Sequence, residues 1–175
     1  MCSRFSFRID RSAIQKFFHI QEVDCDYKQG NNISPTQQVS AIIYDGKTRL
    51  VCFRWGLIPS WTKDPSIGAK LINARAETLA TKPSFKDAFI KRRCLIIADG
   101  FYEWQKVDKK KVPFHFSFKS GAPFGFAGLY ETWKPPEGEL VKTCTIITTE
   151  PNELVMPIHD RMASNCAEKS GSNVA

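Results

Sequence analysis

The sequence has little of what builds a metal site or a membrane span. Only three of its 175 residues are histidines, and none of its six cysteines forms a C-x-x-C pair, so zinc-ligand spacing is absent. No apolar run approaches the ~18 residues of a membrane span, and the N-terminus lacks the apolar segment of a signal peptide. We therefore expect a soluble, cytosolic protein without a metal, an organic cofactor or a membrane partner.

What the chain does have is the composition of a folded, basic domain. Apolar residues make up 42% of it and aromatic residues 12%, which is typical of a single globular domain of this length. Lysine and arginine total 25 against 18 acidic residues, and the net charge of +7 favours an anionic partner, nucleic acid first. A basic enzyme with a solvated surface would have the same charge, so both interpretations stay open. We expect a monomer.

Apolar alternation and turn residues predict a mostly β fold. Asp45-Gly46 joins two strand-like runs, at 39–44 and 47–55, and suits the positive φ values of a tight hairpin turn. The other predicted elements are strands at 3–8, 94–104, 112–119, 124–133 and 142–149, and helices at 13–18, 74–80 and 84–91. The pattern predicts an α+β fold: a β-rich single domain with a curved antiparallel or barrel-like sheet and short flanking helices.

The second residue is the first candidate for chemistry. Removal of the initiator methionine, which a small second residue permits, would give Cys2 a free α-amine beside its thiol. The amine forms an imine with an aldehyde, and the thiol then closes a five-membered thiazolidine, a step favoured by an effective molarity of roughly 10⁵ M. A cysteine in this position can also be a chance occurrence or an apolar filler, as we expect for Cys52, Cys94 and Cys144 in the strand-like runs.

Two further residues are candidates for proton transfer. Asp99 and Glu103 share one face of a strand, where apolar neighbours would desolvate the Glu103 carboxylate and raise its pKa toward acid–base use. An exposed glutamate on the wet face of an edge strand fits the sequence equally well. His159 stands beside Asp160 and Arg161, where it could donate a proton or simply end a helix.

Other side chains suit contacts with nucleic acid. Asn73 could fix an amine or a carbonyl, and Arg75 could grip a phosphate bidentately, although a helix cap and a solvated helix face have the same residues. Trp61, in a proline- and glycine-containing loop, could stack on unpaired bases. The basic clusters at 91–93 and 109–111 are typical of solvated surface.

Short motifs occur in a fixed order over residues 1–162. They are MCSRF at 1–5, SPT at 34–36, RWGLIPSW at 54–61, INARAET at 72–78, RC at 93–94, ADGFYEW at 98–104, FAGLY at 126–130, TIITT at 145–149 and IHDRM at 158–162. In these motifs the chain resembles the SRAP (SOS response-associated peptidase) family, whose members shield abasic sites in single-stranded DNA. The resemblance implies a compact β-rich fold with a basic groove.

The resemblance also implies a role for each matched residue. Cys2 would bond the ring-opened aldehyde of the abasic site, and Asn73 would hold the α-amine or the sugar oxygens. Glu103 would shuttle protons, and His159 would protonate the sugar hydroxyl, assist ring opening and serve reversal of the crosslink. The expected DNA-binding residues are Arg4, Arg75, Arg161, Trp61 and Thr148.

The implied function is covalent protection of abasic sites in the DNA damage response. Cys2 would form a thiazolidine crosslink, with weak strand cleavage by β-elimination and thiol autopeptidase activity as accompanying reactions. Such a protein would be cytoplasmic: nucleoid-associated in a bacterium, or nuclear in a eukaryote. Two alternatives stay open: an N-terminal-nucleophile thiol hydrolase with Cys2 attacking an amide, and a non-catalytic single-strand binder.

Two departures from the family pattern bear on these expectations. Ser3 stands where the family usually has glycine, which adds a Cβ beside the nucleophile. Ala163 follows Met162 where the family continues with proline, an apolar strand and a helix. We therefore expect a family domain over residues 1–162 and a polar tail over 163–175, with the family's C-terminal segment missing.

Overall fold

A computed structural model describes residues 2–166 of the chain, and two β-sheets contain most of its regular structure. The strands are β1 (Arg4–Phe7), β2 (Glu22–Val23), β3 (Gly30–Ile33), β4 (Gln38–Tyr44), β5 (Thr48–Trp55), β6 (Asn73–Arg75), β7 (Arg93–Ala98), β8 (Gly100–Val107), β9 (Lys110–Phe116), β10 (Phe124–Trp133), β11 (Val141–Thr149), β12 (Met162–Ala163) and β13 (Asn165–Cys166). The α-helices are α1 (Arg11–Phe17) and α2 (Lys86–Lys91), and short 3-10 helices span Pro65–Lys70 and Ala76–Thr78. Within residues 2–166, no helix is long and apolar enough to cross a membrane.

Five strands of the larger sheet close into a barrel. The order β5–β4–β7–β10–β11 is antiparallel throughout, and a parallel contact between β11 and β5 completes the circle. In that contact Thr143 lies opposite Arg54 and Cys144 opposite Trp55. Closure removes the open edges that a curved sheet would expose. The structure thus confirms the predicted β-rich single domain with a barrel-like sheet.

The smaller sheet has the order β3–β1–β8–β9 and packs against the barrel through β1. The Phe5 ring lies 5.2 Å from the Trp55 ring and 5.7 Å from the Phe126 ring, between centroids, and all three side chains are fully buried. Burial of such aromatic side chains is worth about 1.5–3 kcal/mol each. The N-terminal strand is therefore anchored in the core, which fixes the residue that precedes it.

The predicted single strand at 94–104 is wrong, because the chain changes sheets at Asp99. Residues 93–98 form β7 of the barrel, and residues 100–107 form β8 of the smaller sheet. Gly100 allows the close passage, since a Cβ there would lie 2.3 Å from His115 Nε2. The apolar alternation continues through both strands, so nothing in it marks the change of partner.

The predicted helix at 74–80 is also wrong. Asn73–Arg75 is β6, which pairs in parallel with Ile146–Thr148 of β11, and only one 3-10 turn follows. Beyond its short contact with β5, the edge of β11 still has backbone groups that can pair with this segment. This tertiary pairing overrides a weak helix propensity. The helices predicted at 13–18 and 84–91 are present as α1 and α2, with shifted ends.

The hairpin at Asp45-Gly46 is confirmed, and Gly46 has φ 102°. Cys94 and Cys144 are buried as predicted, but Cys52 is only half-buried because it points away from the barrel interior that Val51 and Phe53 fill.

The predicted polar tail begins in paired backbone. Met162–Ala163 pairs with β11, and Asn165–Cys166 pairs with β10. The rest of that tail, 167–175, lies outside the described residues.

Candidate functional site

The fold holds Cys2 between two sheets. The residue precedes β1, its side chain is fully buried, and its Sγ lies 3.8 Å from the carbonyl oxygen of Arg4. Asn73 Nδ2 donates a hydrogen bond of 2.8 Å to the carbonyl oxygen of Cys2. Asn73 is the first residue of β6, so the ladder between β6 and β11 sets the position from which its amide reaches Cys2.

The Asn73 amide has unused hydrogen-bonding capacity. Its Oδ1 is buried and accepts no hydrogen bond from the described residues 2–166. A buried acceptor without a donor costs about 1–3 kcal/mol. Because Nδ2 of the same amide binds Cys2, this oxygen is available to a donor that arrives near Cys2.

The Cys2 thiol is held in its neutral form. Burial raises the pKa of the thiol far above its ordinary value, and the negative charge of Glu103 raises it further. The thiolate is the reactive nucleophile, so a base must take the proton when the sulfur attacks. Glu103 is the carboxylate whose charge the sulfur experiences.

Glu103 itself is desolvated. It lies on β8 with 1% of its surface exposed, and burial raises the pKa of its carboxyl above the ordinary value. Of the two interpretations left open by the sequence, the buried carboxyl is the one observed. A carboxyl with a raised pKa can both give and take a proton near neutral pH.

His159 faces Glu103 from a different part of the chain. Its Nε2 lies 3.9 Å from Glu103 Oε2. A short turn positions the ring: the His159 amide donates to Val155 O at 2.9 Å, and the Arg161 amide donates to His159 Nδ1 at 3.0 Å. In the neutral ring, a bond accepted at Nδ1 leaves the proton on Nε2, toward Glu103. Asp160 Oδ1 also lies 2.9 Å from Nδ1, on the side of the ring away from Glu103.

An open cleft of about 700 Å³ adjoins these groups. Glu103 and His159 contribute to its lining, together with three cationic side chains, those of Arg4, Lys106 and Lys111. Lys106 and Lys111 are directly opposite each other on β8 and β9. The cleft therefore combines proton-transfer groups with positive charge that suits a phosphate backbone. Among the described residues, no group of three or more histidines, cysteines or acids could hold a metal ion.

The sequence as a whole matches a known protein family. A model of the SOS response associated peptidase (SRAP) family matches residues 1–171. The chain belongs to this family. The resemblance carried by the motifs at 1–162 is therefore confirmed.

Named relatives and a solved structure are also similar to this chain. Abasic site processing protein YoqW of Bacillus subtilis is 50% identical over 166 residues, which cover 93% of this chain and 74% of that protein. Abasic site processing protein HMCES of Xenopus tropicalis is 36% identical, with 87% and 55% covered. The X-ray structure of a protein from Bacteroides thetaiotaomicron matches with a TM-score of 0.84 at 26% identity, covering 96% of this chain and 78% of that one.

The SRAP motifs come together only in part. Cys2, Asn73, Glu103 and His159 converge, although they lie in four different motifs. Arg4 lines the same cleft, and Arg75 is exposed at the end of β6. Their phosphate contacts stay predictions.

Arg161 and Thr148 are occupied with each other. Arg161 makes a bidentate ion pair with Glu77, at 2.8 and 3.1 Å, and donates to Thr148 O at 2.7 Å. Thr148 is fully buried, and its hydroxyl lies 3.5 Å from Arg161 Nη2. In this arrangement both residues brace the segment that carries His159. Their direct contact with DNA stays a prediction.

Trp61 is 60% exposed, but its loop is attached to the end of β10 and not to the strands that carry Cys2, Asn73 and Glu103. Trp133 Nε1 donates to Thr62 O at 2.9 Å, and Ser60 Oγ contacts Glu131 Oε2 at 3.5 Å, which ties this loop to the end of β10. Asn73, by contrast, pairs with Ile146 in the middle of β11. Stacking of Trp61 on a base stays a prediction.

Lys106 and Lys111 were missed by sequence reasoning, which treated the lysine cluster at 109–111 as solvated surface. The sequence does indicate a β-hairpin here, because a charged turn at 108–111 separates two strand-like runs. A hairpin there places lysines from both strands side by side.

Proposed function

We propose that this chain recognises abasic sites in single-stranded DNA and traps them as a thiazolidine on Cys2 after Met1 is removed. The names of the SRAP relatives support the substrate class. One observation supports the chemistry above all: Cys2, Asn73, Glu103 and His159 meet beside a cleft lined by Arg4, Lys106 and Lys111. The protein acts as a monomer on unpaired strands, in the compartment that holds the chromosome.

Binding relies on the basic cleft. Arg4, Lys106 and Lys111 neutralise phosphates on either side of the lesion, and the counterions released provide affinity that falls with salt. An abasic site lacks the base that would fill space in the cleft, so its sugar can approach Glu103 and His159. His159 then gives a proton to the ring oxygen of the sugar while the anomeric hydroxyl loses its proton to water, and the ring opens to the aldehyde.

The first covalent step joins nitrogen to carbon. Removal of Met1 frees the α-amine of Cys2, and the Asn73 Oδ1 accepts a hydrogen bond from it. The amine lone pair attacks the aldehyde carbon and gives a carbinolamine. The Glu103 carboxyl, whose pKa burial raises, donates a proton to the departing hydroxyl. Water leaves, and a protonated imine remains.

The second step closes the ring. The Glu103 carboxylate, now ionised, takes the proton of the Cys2 thiol, which burial would otherwise keep protonated. The sulfur adds to the carbon of the protonated imine, and the nitrogen keeps its proton as a neutral ring amine. Aldehyde and aminothiol have become thiazolidine and water. If the imine persists instead, loss of a proton from the adjacent sugar carbon permits β-elimination, which we propose as a minor strand-cleaving reaction.

The test is intact-mass spectrometry after incubation with an abasic single-stranded oligonucleotide. Wild-type protein should lack Met1 and gain the mass of the oligonucleotide less one water, without a reducing agent. Cys2→Ala should give no stable adduct. Cys2→Ser keeps the amine and serves as the matched control: it should give an adduct only when borohydride reduces the imine.

Several results would overturn the proposal. These are an undiminished adduct with Cys2→Ala, or wild-type protein that retains Met1 and still forms the adduct. Equal affinity for intact and abasic strands without any adduct would identify a non-covalent single-strand binder. Turnover of peptides without DNA and without an adduct would identify a thiol hydrolase.

A further inference from the structure

Two half-buried cysteines, Cys25 and Cys52, lie close together at the outer face of the barrel. The parallel pairing of β2 with β5 places Glu22 opposite Arg49 and Val23 opposite Leu50. The Asp24 amide continues the ladder with a hydrogen bond of 2.9 Å to Leu50 O. Extended two residues past Val23, where β2 ends, this register would bring Cys25 opposite Cys52.

This register fits a disulfide. Neighbouring strands run about 4.8 Å apart, and disulfide-bonded residues have Cα atoms about 4.4–6.8 Å apart. Cys52 Sγ lies 3.4 Å from the carbonyl oxygen of Asp26, the residue next to Cys25, and the two thiols are close enough to perturb each other's pKa. The two side chains are therefore neighbours just beyond the end of the β2–β5 ladder.

The environment makes the two thiols unequal. Ser40 lies directly opposite Cys52 on β4, and its buried hydroxyl makes no hydrogen bond within residues 2–166. The neighbouring Cys25 thiol, and then the charge of Lys28, lower the pKa of the Cys52 thiol. The same contact with Cys52, together with burial, raises the pKa of Cys25. Cys52 is thus the nucleophile and Cys25 the thiol that stays protonated.

The nucleophile is also accessible. Cys52 lines an open surface cleft together with Lys28 and Lys142. Two carboxylates, those of Asp26 and Glu139, balance the two lysines in this lining, so the cleft is open to a small uncharged oxidant. Cys2, Cys94 and Cys144 are fully or almost fully buried, and burial raises the pKa of each thiol.

We propose that Cys25 and Cys52 form a peroxide-sensitive modification site that closes reversibly to a disulfide, independently of the chemistry at Cys2. The Cys52 thiolate attacks one oxygen of hydrogen peroxide, forming an S–O bond as the O–O bond breaks and hydroxide leaves. The Cys25 sulfur then attacks the sulfenic sulfur, the S–S bond forms, and the Cys25 proton leaves with that oxygen as water. Two thiols and one peroxide become one disulfide and two waters, and a dithiol reductant reverses the change.

The experiment is titration of the reduced full chain with hydrogen peroxide, followed by tryptic mapping. The expected product at low peroxide links the peptides 17–28 and 50–54 and disappears on reduction. The two single variants provide matched controls. Cys25→Ser should accumulate a sulfenic acid at Cys52 that dimedone traps, whereas Cys52→Ser should leave Cys25 unmodified at the same dose.

The variants also separate the outcomes. If oxidation stops at sulfinic acid on wild-type Cys52, or if links join other cysteines first, the proposal is wrong. If Cys25→Ser and Cys52→Ser react equally, the assignment of Cys52 as nucleophile is wrong. Thermal unfolding gives a second reading, because the crosslink should raise the Tm of wild-type protein and of neither variant.

Discussion

The side-chain amide of Asn73 binds the backbone of Cys2 at 2.8 Å, across 71 positions of sequence. This contact depends on β6, the strand that forms where local sequence favours a helix. A helix over the same residues would pair nothing with β11. The short parallel ladder is therefore what delivers the amide to the nucleophile.

Replacement of Asn73 by alanine should slow adduct formation more than it weakens DNA binding. The Cys2 carbonyl would lose its donor and the amine its acceptor, and the buried carbonyl alone should cost about 1–3 kcal/mol of unfolding free energy. Single-turnover adduct kinetics and urea denaturation measure the two effects. Asn31→Ala, on the exposed part of β3, is the control. A normal adduct rate in Asn73→Ala would remove Asn73 from the mechanism.

The buried Glu103 carboxyl should make stability depend on pH. Its folded-state pKa lies above the ordinary value of 4.5, so its contribution to stability is present below that value and is lost as the pH rises through the folded-state pKa. Glu103→Gln mimics the neutral acid and avoids the loss. The variant and wild type should therefore have similar unfolding free energies at about pH 4, with the variant the more stable at about pH 8.

The same variant should be a poor catalyst of adduct formation, because glutamine cannot carry a proton between the carbinolamine and the thiol. A variant that is more stable but reacts more slowly indicates that the replaced group serves function and lowers stability. Denaturation curves across the pH range and adduct rates measured in the same buffers provide the comparison. A Glu103→Gln protein that is destabilised at alkaline pH would contradict a desolvated carboxyl.

The salt dependence of DNA binding should distinguish the arginines. For each phosphate on a single strand that a variant no longer neutralises, the slope of log K against log salt becomes shallower by about 0.7. Arg75→Ala and Arg4→Ala should each show this change. Arg161→Ala should leave the slope nearly unchanged and slow the adduct instead, because its charge is paired with Glu77 and its role is to brace the His159 segment.

A matched variant sharpens that comparison. Glu77→Gln keeps the length and shape of the side chain but removes the negative charge that pairs with Arg161. If Arg161 is a brace, this variant should bind intact single strands at least as tightly as wild type and form adduct more slowly. A slope that falls as much in Arg161→Ala as in Arg75→Ala would instead make Arg161 a phosphate contact.

Much of the site could be predicted from sequence because each motif carries its own chemistry. Cys2, Asn73, Glu103 and His159 were identified by residue type and family pattern, and the fold brings them together. What the sequence did not reveal depends on long-range pairing. The sheet change at Asp99 and the strand at Asn73–Arg75 both follow from partners far along the chain, and no local propensity encodes them.

The burial of side chains was likewise only partly predictable from the sequence. Alternation along β8 correctly placed Glu103 on an apolar face, but it could not say whether that face was covered. The cover comes from packing of the N-terminal strand, which anchors Phe5 against Trp55. The outward position of Cys52 was missed for a related reason, since a continuous apolar run hides which of its residues face the interior of a barrel.

Ser6 should be essential to the junction where the chain changes sheets. Its hydroxyl donates a hydrogen bond of 2.6 Å to Asp99 Oδ1 and lies 3.0 Å from His115 Nε2, and both Ser6 and Asp99 are buried. Arg8 supplies a donor to the other carboxylate oxygen through its backbone amide, at 2.7 Å. Ser6→Ala would leave Asp99 and His115 each short of a partner, so we expect a loss of about 1–3 kcal/mol in urea denaturation.

The matched control for that loss is Ser84→Ala, whose hydroxyl lies outside the Ser6–Asp99–His115 network and whose effect should be within about 0.5 kcal/mol. Because β1 is tied to the junction through Ser6, loosening it should also increase hydrogen exchange at the amides of Phe5 and Phe7, which pair β1 with its neighbours. A Ser6→Ala protein with wild-type stability and unchanged exchange would mean that aromatic packing of Phe5 alone holds the N-terminal strand. The position of Cys2 would then owe nothing to the sheet junction.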